Sequence, residues 1–381
     1  MATERIYIEQ FMGLARQHPV LDVRSPAEYL HAHMPGAYSF PLFTDEERKM
    51  VGTNYKQQSR EQAIKIGLDY FGPKMRPMIE EAESIIAKWK ENAQSSGKNS
   101  NTKVILVYCW RGGMRSSAVS WLLDLYGFKV YTLIGGYKMF RNYILDTFTL
   151  PFHFKILGGY TGSGKTEILK AMEQQGQTVV DLEDIAKHKG SAFGNIGLPP
   201  QPGQEMFENL LGIELRSKLG KNNNEGPGAG ITHSPYAISQ IPIWLEDESQ
   251  RIGLVNLPNN LWATMRTSRI FFLDIPFEQR LQHIIEEYGG LNKVNMIDAI
   301  GRIKEKLGGL NAKMAIEYLE QENIAACFSI LLKYYDKFYH KALHNRPDVQ
   351  HLLQLVTCEK VCADNGVKVM EIANEAIHLN N

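Results

Sequence analysis

Short apolar runs alternate with longer helical stretches in the first part of the chain. The apolar runs predict strands at residues 20–23, 37–42, 104–108 and 130–133, and the longer stretches predict helices at residues 73–91 and 116–125. Residues 91–103 are polar and contain Gly and Asn, which predicts a surface loop. Strands that alternate with helices are typical of a parallel sheet covered by helices on both faces.

The same alternation starts again after Pro151. Strands are predicted at residues 152–157, 178–181, 238–245 and 269–273, with a helix at residues 166–174. Residues 221–230 are rich in Asn and Gly and predict a flexible insertion. From Pro276 onward, apolar residues recur at three- and four-residue spacing, which predicts a helical C-terminal part. We therefore expect two domains, residues 1–145 and residues 151–381 with a helical extension from about 276, and a boundary near 141–151.

The charge balance limits the kind of protein this chain is. Its 381 residues include 42 Lys and Arg and 42 Asp and Glu, which excludes a surface that is basic throughout but allows a local basic groove. Hydrophobic residues make up 44%, a value typical of folded globular chains. No run approaches the roughly 18 apolar residues of a membrane helix, and the first residues do not resemble a secretory signal. The four cysteines form no CxxC pair, so we expect a cytoplasmic chain with reduced thiols and no membrane partner.

A glycine-rich turn follows the strand predicted at residues 152–157. Residues 159–166 read GYTGSGKT and fit the pattern G-x-x-x-x-G-K-[S/T] at every position. The glycines allow backbone N–H groups to point inward at phosphate oxygens, and the following helix adds the positive end of its dipole. We expect Lys165 to neutralise the terminal phosphate and the Thr166 hydroxyl to reach a bound Mg²⁺. The turn predicts a di- or triphosphate site formed by Gly159, Gly162, Ser163, Gly164, Lys165 and Thr166.

A carboxylate at the end of a neighbouring strand would complete a metal site beside this turn. The candidates, in chain order, are Asp181, Glu246, Asp247 and Glu248. We expect Mg²⁺, where it is used, to be bound by Thr166 with Asp247 or Glu246. Arg280 lies on a helix predicted after Pro276 and could reach a phosphate, but we expect its side chain to be solvated.

A second glycine-rich turn follows the strand predicted at residues 104–108. Residues 109–115 read CWRGGMR and precede a predicted helix. Loop N–H groups and a helix N-terminus would lower the pKa of the Cys109 thiol and favour a nucleophilic thiolate, and Arg111 and Arg115 would add positive charge. The other residues of this predicted anion loop are Trp110, Gly112, Gly113 and Met114. The cysteines without such neighbours are predicted to be core residues, namely Cys327, Cys358 and Cys362.

The first part of the chain resembles a rhodanese domain. Residues 21–29 (LDVRSPAEY), residues 33–38 (HMPGAY) and the Cys109 loop stand in the rhodanese order. Ala32 replaces the glycine usual before the histidine, a small packing change. The loop from Cys109 to Arg115 has seven residues, whereas ordinary sulfurtransferases have six. This loop length is similar to that of rhodanese-like phosphatases, whose loop admits a phosphate-sized anion. The similarity favours a phosphorylated chalcogen donor.

The chain as a whole resembles the bacterial tRNA 2-selenouridine synthase family. Besides the Cys109 loop, the resemblance rests on residues 188–194 (HKGSAFG), 201–209 (QPGQEMFEN) and 244–253 (WLEDESQRIG). It implies an α/β chain in which an N-terminal rhodanese-like parallel-sheet domain precedes a P-loop NTPase-like domain with a helical C-terminal part. It covers nearly the whole chain except the two polar insertions.

The resemblance also implies an activity. A transferase of this family converts wobble 2-thiouridine in tRNA to 2-selenouridine through S-geranyl-2-thiouridine, using geranyl diphosphate and selenophosphate and no prosthetic group. Cys109 would carry an S-selanylcysteine intermediate, and the P-loop is expected to hold the diphosphate of the prenyl donor or a nucleotide. The implied partners are tRNAs of the lysine, glutamate and glutamine type and a supplier of selenophosphate.

Contacts with RNA are harder to locate from the residues. Lys187, His188 and Lys189 form a small basic cluster, and Phe193 beside it is a candidate for stacking on a flipped base. Residues 340–346 form a second basic cluster. Two other functions stay open from the residues alone, a small-molecule P-loop kinase or ATPase with a regulatory rhodanese-like module and a thiosulfate sulfurtransferase. The length of the Cys109 loop argues against the thiosulfate sulfurtransferase.

Overall fold

A computed structural model describes residues 3–95, 103–219 and 241–378 of the chain. The chain divides into two compact units, Met1–Thr147 and Phe148–Asn381, which are treated separately below. The division lies within the interval 141–151. The insertion predicted at residues 221–230 and the first residues of the strand predicted at 238–245 lie outside the described residues.

The N-terminal unit is a parallel sheet with helices packed on it. Its elements are β1 (Glu4–Ile6), α1 (Ile8–Ala15), β2 (Val20–Asp22), α2 (Pro26–His31), β3 (Tyr38–Ser39), α3 (Asp45–Gln57), α4 (Arg60–Phe71), a 3₁₀ turn (Gly72–Lys74), α5 (Met75–Ser95), β4 (Val104–Tyr108), α6 (Met114–Tyr126), β5 (Lys129–Leu133) and α7 (Gly136–Thr147). The five strands pair in parallel in the order β1-β5-β4-β2-β3, so β4 is the central strand. Almost all of β4 is buried, as expected for a strand covered on both faces.

A buried ion pair joins the ends of β2 and β4. Asp22 is inaccessible to solvent and accepts hydrogen bonds from Arg24, with an Nη2–Oδ2 distance of 2.6 Å. The Tyr108 hydroxyl at the end of β4 donates to the same carboxylate at 2.7 Å. Arg24 also donates to the Ala32 carbonyl, and its guanidinium lies 3.9 Å from the centre of the Tyr137 ring. Both charges therefore have partners, which a buried pair needs to offset the loss of water.

The C-terminal unit contains a second parallel sheet. Its elements are β6 (Phe154–Gly159), α8 (Lys165–Gln174), β7 (Thr178–Val179), α9 (Leu182–Ala186), α10 (Gln204–Leu219), β8 (Ile243–Glu246), β9 (Arg251–Ile252), β10 (Val255–Asn256), α11 (Asn259–Arg266), β11 (Arg269–Asp274), α12 (Phe277–Tyr288), α13 (Lys293–Leu307), α14 (Gly309–Glu320), α15 (Ile324–His344), α16 (Val349–Leu352), β12 (Leu353–Thr357) and α17 (Asn365–His378). Five strands pair in parallel in the order β12-β11-β6-β8-β7, so β6 is central, and β9 and β10 form a separate antiparallel pair.

The helical C-terminal part has a core of its own. Helices α12 to α15 pack around buried residues that include Ile300, Leu319, Phe328 and Leu331. A different cluster, with Trp244 and Phe271 in contact, lies between the second sheet and helices α8 and α17. Among the described residues, no helix combines the length and the apolar character that crossing a membrane requires.

The structure confirms the α/β class with two parallel sheets and a helical C-terminal part, and differs from the predictions in detail. The part after Pro276 is not helical throughout, because β12 adds an edge strand to the second sheet by pairing with β11. Helices α3 and α4 fill the stretch before residue 73, where the sequence analysis makes no assignment. The strand predicted at residues 37–42 is shorter, because only Tyr38 and Ser39 pair with β2.

Removing one partner of the buried pair should destabilise the N-terminal unit. We expect Asp22→Ala to lower its free energy of unfolding by about 3–5 kcal/mol, because Arg24 would be left buried without its counter-charge. The matched control is Glu80→Ala, which breaks an exposed Arg76–Glu80 pair and should cost about 0.5 kcal/mol or less. Urea denaturation followed by near-ultraviolet circular dichroism measures both. Equal losses in the two variants would contradict the role of the buried pair.

Candidate functional site

Cys109 lies in the turn between the central strand β4 and helix α6. Its side chain is 3% exposed, and the thiol is surrounded by hydrogen-bond donors. The backbone N–H of Gly113 donates to Sγ at 3.3 Å, and the Ser116 hydroxyl lies 3.3 Å from Sγ. The first N–H groups of α6 have no partners within the helix, so the turn is built to receive an anion.

The turn favours the thiolate form of Cys109. Burial raises the pKa of the thiol, but the hydrogen bonds from Ser116 and Gly113 and the charge on Arg115 act in the opposite direction and outweigh it. The pKa of Cys109 therefore lies below the ordinary value of a cysteine. By contrast, burial raises the pKa of Cys327 to about 11 and also raises that of Cys358. Of these three cysteines, only Cys109 thus has surroundings that activate the thiol.

The two arginines of the turn have different environments. Arg115 forms a two-pronged contact with Glu28, with an Nη1–Oε2 distance of 2.6 Å. Glu28 in turn accepts from the backbone N–H of Ser25 at the start of α2, so the Arg115 guanidinium is held in place. Arg111 is exposed and makes no hydrogen bond or ion pair with the described residues. Arg111 is therefore the cation of the turn that is open to an incoming anion.

Two glycines allow the chain to pass closely behind the thiol. A Cβ atom on Gly136 would lie 2.2 Å from the Cys109 carbonyl oxygen, and one on Gly112 would lie 2.5 Å from the Leu133 carbonyl oxygen. Both glycines have positive φ angles, of 58° and 64°. Trp110 and Met114 are largely exposed beside the turn. The sequence analysis predicted Gly112, whereas Gly136 was missed because its contact depends on the next strand–helix connection.

The glycine-rich turn at residues 159–166, called the phosphate turn for its predicted role, follows the central strand of the second sheet. Gly164 has a φ of 68° and precedes α8, so the helix N-terminus faces the turn. A Cβ atom on Gly162 would lie 2.9 Å from the Arg280 carbonyl oxygen, so there is no room for a side chain at this position. Lys165 Nζ donates to the Gly159 carbonyl oxygen at 3.1 Å, and the Ser163 hydroxyl donates to the Tyr160 carbonyl oxygen. The lysine therefore lies across the turn, where a phosphate would accept from it.

A pair of carboxyl groups lies beside the phosphate turn. Thr166 Oγ1 donates to Glu183 Oε2 at 3.2 Å, and the Glu248 carboxyl group donates to Glu183. Burial and the neighbouring Glu183 charge raise the pKa of Glu248 well above its usual range. Burial also raises the pKa of Glu183, against the opposing effect of Lys165. These raised pKa values favour a proton held between the two groups, and the sequence analysis missed Glu183 because it follows Asp181 inside a short helix.

Both oxygens of Asp247 and one oxygen of Glu246 have protein partners, and the other Glu246 oxygen, Oε1, is buried without a hydrogen-bond partner among the described residues. One oxygen of Asp247 forms an ion pair with Arg346, and the other accepts from the Tyr339 hydroxyl. Glu246 is buried, its Oε2 accepts from the Leu182 N–H at 3.1 Å, and burial raises its pKa well above its usual range. Among residues 3–95, 103–219 and 241–378, no group of three or more His, Cys, Asp or Glu side chains could hold a metal ion. These residues do not fit the expected Mg²⁺ site, and no step below is derived through a metal.

Two other charged residues near the turn have structural partners. Arg280 is 3% exposed and forms a two-pronged ion pair with Asp336, while it also donates to the Thr161 carbonyl oxygen. The expectation of a solvated arginine was therefore wrong, because α15 supplies a carboxylate that the local sequence does not reveal. Asp181 begins α9 and accepts from the Asp184 N–H at 2.7 Å.

The phosphate turn opens into a cleft with an apolar side. The cleft has a volume of ≈ 470 Å³ and is lined at one end by residues of the turn, Lys165 and Glu183. One face of α15 also lines it, because residues spaced by three and four lie on the same side of a helix. The lining residues of this face are Tyr335, Phe338, Tyr339, Ala342 and Leu343. Trp262 of α11 completes this surface, which we call the aromatic wall.

The residues expected to contact RNA are only partly exposed. Lys187 pairs with Asp184 at 2.8 Å, and Lys189 pairs with Glu287 and lines the cleft. His188 is buried. Phe193 is 4% exposed and packs against the Phe328 ring, so as placed it has no free face for a base.

Comparisons with known proteins agree with this geometry. Residues 8–143 match the rhodanese-like domain, and residues 152–354 match the tRNA 2-selenouridine synthase AAA domain. A tRNA 2-selenouridine synthase of Hydrogenovibrio crunogenus is 33% identical over 323 residues, covering 80% of each chain. One of Aeromonas salmonicida is 32% identical and covers 86% of this chain and 88% of its own, and one of Bdellovibrio bacteriovorus is 29% identical and covers 91% and 94%. The predicted family is confirmed, and the chain belongs to the tRNA 2-selenouridine synthase family.

Proposed function

We propose that this enzyme replaces the sulfur of wobble 2-thiouridine in tRNA by selenium in two steps. Geranyl diphosphate first alkylates the sulfur, and selenophosphate then supplies the selenium. The observation that carries the proposal is that one chain holds a thiolate-stabilising turn at Cys109 and a predicted phosphate turn that lines a cleft with an apolar side. The proposed tRNA substrates, of the lysine, glutamate and glutamine type, follow from membership of the family. So does the proposed protein partner, a supplier of selenophosphate.

The first step is assigned to the phosphate turn. A thiocarbonyl sulfur is a poor leaving group, whereas an alkylated sulfur departs as a thiolate. The carbon–oxygen bond of geranyl diphosphate breaks as the sulfur–carbon bond forms, and diphosphate leaves. Lys165 and the N–H groups around Gly162 and Gly164 would stabilise the charge that develops on the diphosphate.

The aromatic wall supports a prenyl donor. A geranyl chain bound through its diphosphate would leave the turn through the cleft, where Phe338 and Trp262 offer apolar surface. Phe338 is 44% exposed, so its ring is available to pack against a hydrocarbon chain. Burying the hydrocarbon there would stabilise the complex by about 0.8 kcal/mol for each CH₂ group removed from water.

Alkylation of the sulfur also releases a proton. The N3–H of 2-thiouridine is lost when the thioether forms, so a base is needed near the phosphate turn. Glu183 lines the cleft beside Lys165 and Thr166, and burial raises the pKa of its carboxyl group, which makes it a stronger base. The charged member of the Glu183–Glu248 pair is therefore the proposed acceptor of the N3 proton.

The second step is assigned to Cys109. Selenophosphate is a phosphate-sized anion, and the seven-residue turn with its open Arg111 suits such a group. Selenium is then delivered to C2 of the uridine, and the geranyl thiolate leaves. The alternative function, a P-loop kinase or ATPase, is tested by the Lys165→Ala variant below.

Replacing the active thiol should abolish selenation. We expect Cys109→Ser to form no 2-selenouridine, because the serine hydroxyl does not ionise at neutral pH, while the matched Cys362→Ser keeps the activity. Alkylation of Cys109 by iodoacetamide should reach half of its maximal rate at a lower pH than that of free cysteine, and Ser116→Ala should shift that pH upward. Nucleoside mass spectrometry reads the first result, and normal 2-selenouridine formation by Cys109→Ser would exclude the assignment.

The two steps should be separable by variants. Lys165→Ala should raise the Kd of geranyl diphosphate about ten- to hundredfold, the usual effect of losing one charged hydrogen bond, and leave 2-thiouridine unmodified. Cys109→Ala should accumulate S-geranyl-2-thiouridine. The control is Lys304→Ala, an exposed lysine of α13. A geranylation rate in Lys165→Ala equal to that of the wild type, combined with weakened ATP binding, would assign the turn to a nucleotide instead.

Truncating Phe338 of the aromatic wall should weaken binding of the prenyl chain and leave binding of the diphosphate group unchanged. We expect Phe338→Ala to raise the Kd of geranyl diphosphate roughly tenfold, the equivalent of exposing about two CH₂ groups, without changing the Kd of inorganic diphosphate. Leu310→Ala, which removes an exposed leucine of α14, is the control. Isothermal titration calorimetry measures the Kd of both ligands for the wild type and the two variants. An equal loss for both ligands in Phe338→Ala would show that the wall supports the turn rather than the chain.

A further inference from the structure

We propose that the exposed basic face of α15 is the surface on which the tRNA backbone docks, beside the cleft that receives the wobble base. We call this face the basic stripe, and its residues are Lys333, Lys337, His340, Lys341 and His344. The inference rests on the proposed function, because that function takes tRNA as the substrate and assigns the alkylation to the phosphate turn. It adds the residues that hold the RNA chain at the cleft.

The residues of the basic stripe lie on one side of α15. Lys333, Lys337 and Lys341 are spaced by four, which places them on one face at intervals of about 6 Å along the helix axis. His340 and His344 lie on the same side, with their ring centres 4.0 Å apart. All five residues are exposed. The stripe therefore presents a row of hydrogen-bond donors along roughly 16 Å of helix.

The basic stripe has an excess of positive charge. Residues 333–346 contain four Lys and Arg and one acidic residue, Asp336, which already forms an ion pair with Arg280. Within the part of the chain that the structure describes, no lysine of the stripe forms an ion pair, whereas Lys313 of the neighbouring helix α14 pairs with Glu317. In a chain with equal numbers of acidic and basic residues, such a local excess indicates an anionic partner.

The basic stripe borders the cleft. Phe338 and Ala342, which line the cleft, directly follow Lys337 and Lys341 in the chain, so each lies about 100° around the helix from its neighbour in the stripe. A wobble base must leave the stack of its loop to reach the phosphate turn. Because a helix is only about 10–12 Å across, a base that flips out of a strand held on the stripe has a short path into the cleft.

The chemistry of the basic stripe suits the single-stranded backbone of an anticodon loop. Lysine ammonium groups bind phosphate oxygens as point charges and do not read the sequence, so they position the RNA and leave selection of the base to the cleft. His340 and His344 offer ring faces of the kind on which unpaired bases stack. The other basic cluster is less suitable, because Lys187 and Lys189 already pair with carboxylates.

The first test removes the charges of the basic stripe and keeps the helix. The stripe variant combines Lys333→Gln, Lys337→Gln and Lys341→Gln. The control makes the same change at three exposed lysines of α13 and α14, namely Lys304, Lys306 and Lys313. Filter binding of an unmodified tRNA transcript, repeated over a range of salt concentrations, gives the Kd and its salt dependence.

The stripe variant should lose affinity through lost phosphate contacts. We expect its Kd for the transcript to rise about ten- to fiftyfold at near-physiological salt. The slope of log Kd against log salt should fall by about two, because each phosphate contact to a single strand contributes about 0.7. The control should keep the wild-type Kd and slope. Unchanged values in the stripe variant, or an equal change in the control, would overturn the inference.

The second test separates docking of the RNA from folding and from the chemistry. Replacing the same three lysines by arginine keeps the charges and should keep the wild-type Kd and slope for tRNA. The Kd of geranyl diphosphate should be the same in every variant, because the stripe residues do not line the cleft. With 2-thiouridine tRNA, the glutamine variant should raise the KM of geranylation and leave kcat unchanged. A lowered kcat with an unchanged KM would contradict docking.

Failure of the proposed function gives a different result. The wild type would then form no S-geranyl-2-thiouridine from 2-thiouridine tRNA and geranyl diphosphate, whereas the loss of tRNA affinity in the stripe variant would still be measured. Failure of the inference leaves geranylation by the wild type intact and the tRNA affinity of the stripe variant unchanged.

Discussion

Backbone N–H groups at a helix N-terminus, placed at the carboxyl end of a central parallel strand, are the feature on which both candidate sites depend. In each sheet the glycine-rich turn follows the third of five strands, β4 in one unit and β6 in the other. A helix begins directly after each turn, at Met114 and at Lys165, so its first N–H groups face the anion. The same local geometry is used for different chemistry, because one turn carries a cysteine and the other a lysine.

Side chains from distant parts of the chain adjust the charge at these turns. Glu28 holds Arg115 in the first unit, so only Arg111 stays open to an incoming anion. Beside the phosphate turn, the raised pKa values of Glu183 and Glu248 favour a proton held between them, which limits the negative charge near Lys165. Arg280 and Asp336 neutralise each other. Ion pairs and raised carboxyl pKa values thus limit the uncompensated negative charge beside both turns.

The local parts of both sites could be predicted from the sequence, and their distant partners could not. A strand, a glycine-rich turn and a helix are consecutive in the chain, so the turns at Cys109 and Lys165 and the α/β class followed from pattern alone. Asp247 was proposed as a metal ligand because it ends a strand, but its partner Arg346 lies 99 residues further on. The strand β12 escaped prediction because its edge position leaves three of its five residues exposed, and it lies between two helices.

The chemistry of sulfur and selenium explains why two turns are needed. Alkylation creates a leaving group by binding a diphosphate that must depart, so its turn has to stabilise an anion without reacting with it. In the proposed function Lys165 and the glycine N–H groups would do this, and a cysteine there would compete for the prenyl group. The proposed second step makes the opposite demand, a nucleophile inside the anion site, and the lowered pKa of Cys109 suits that role. One turn would not meet both demands, because a reactive thiolate would also compete for the allylic carbon of the prenyl donor.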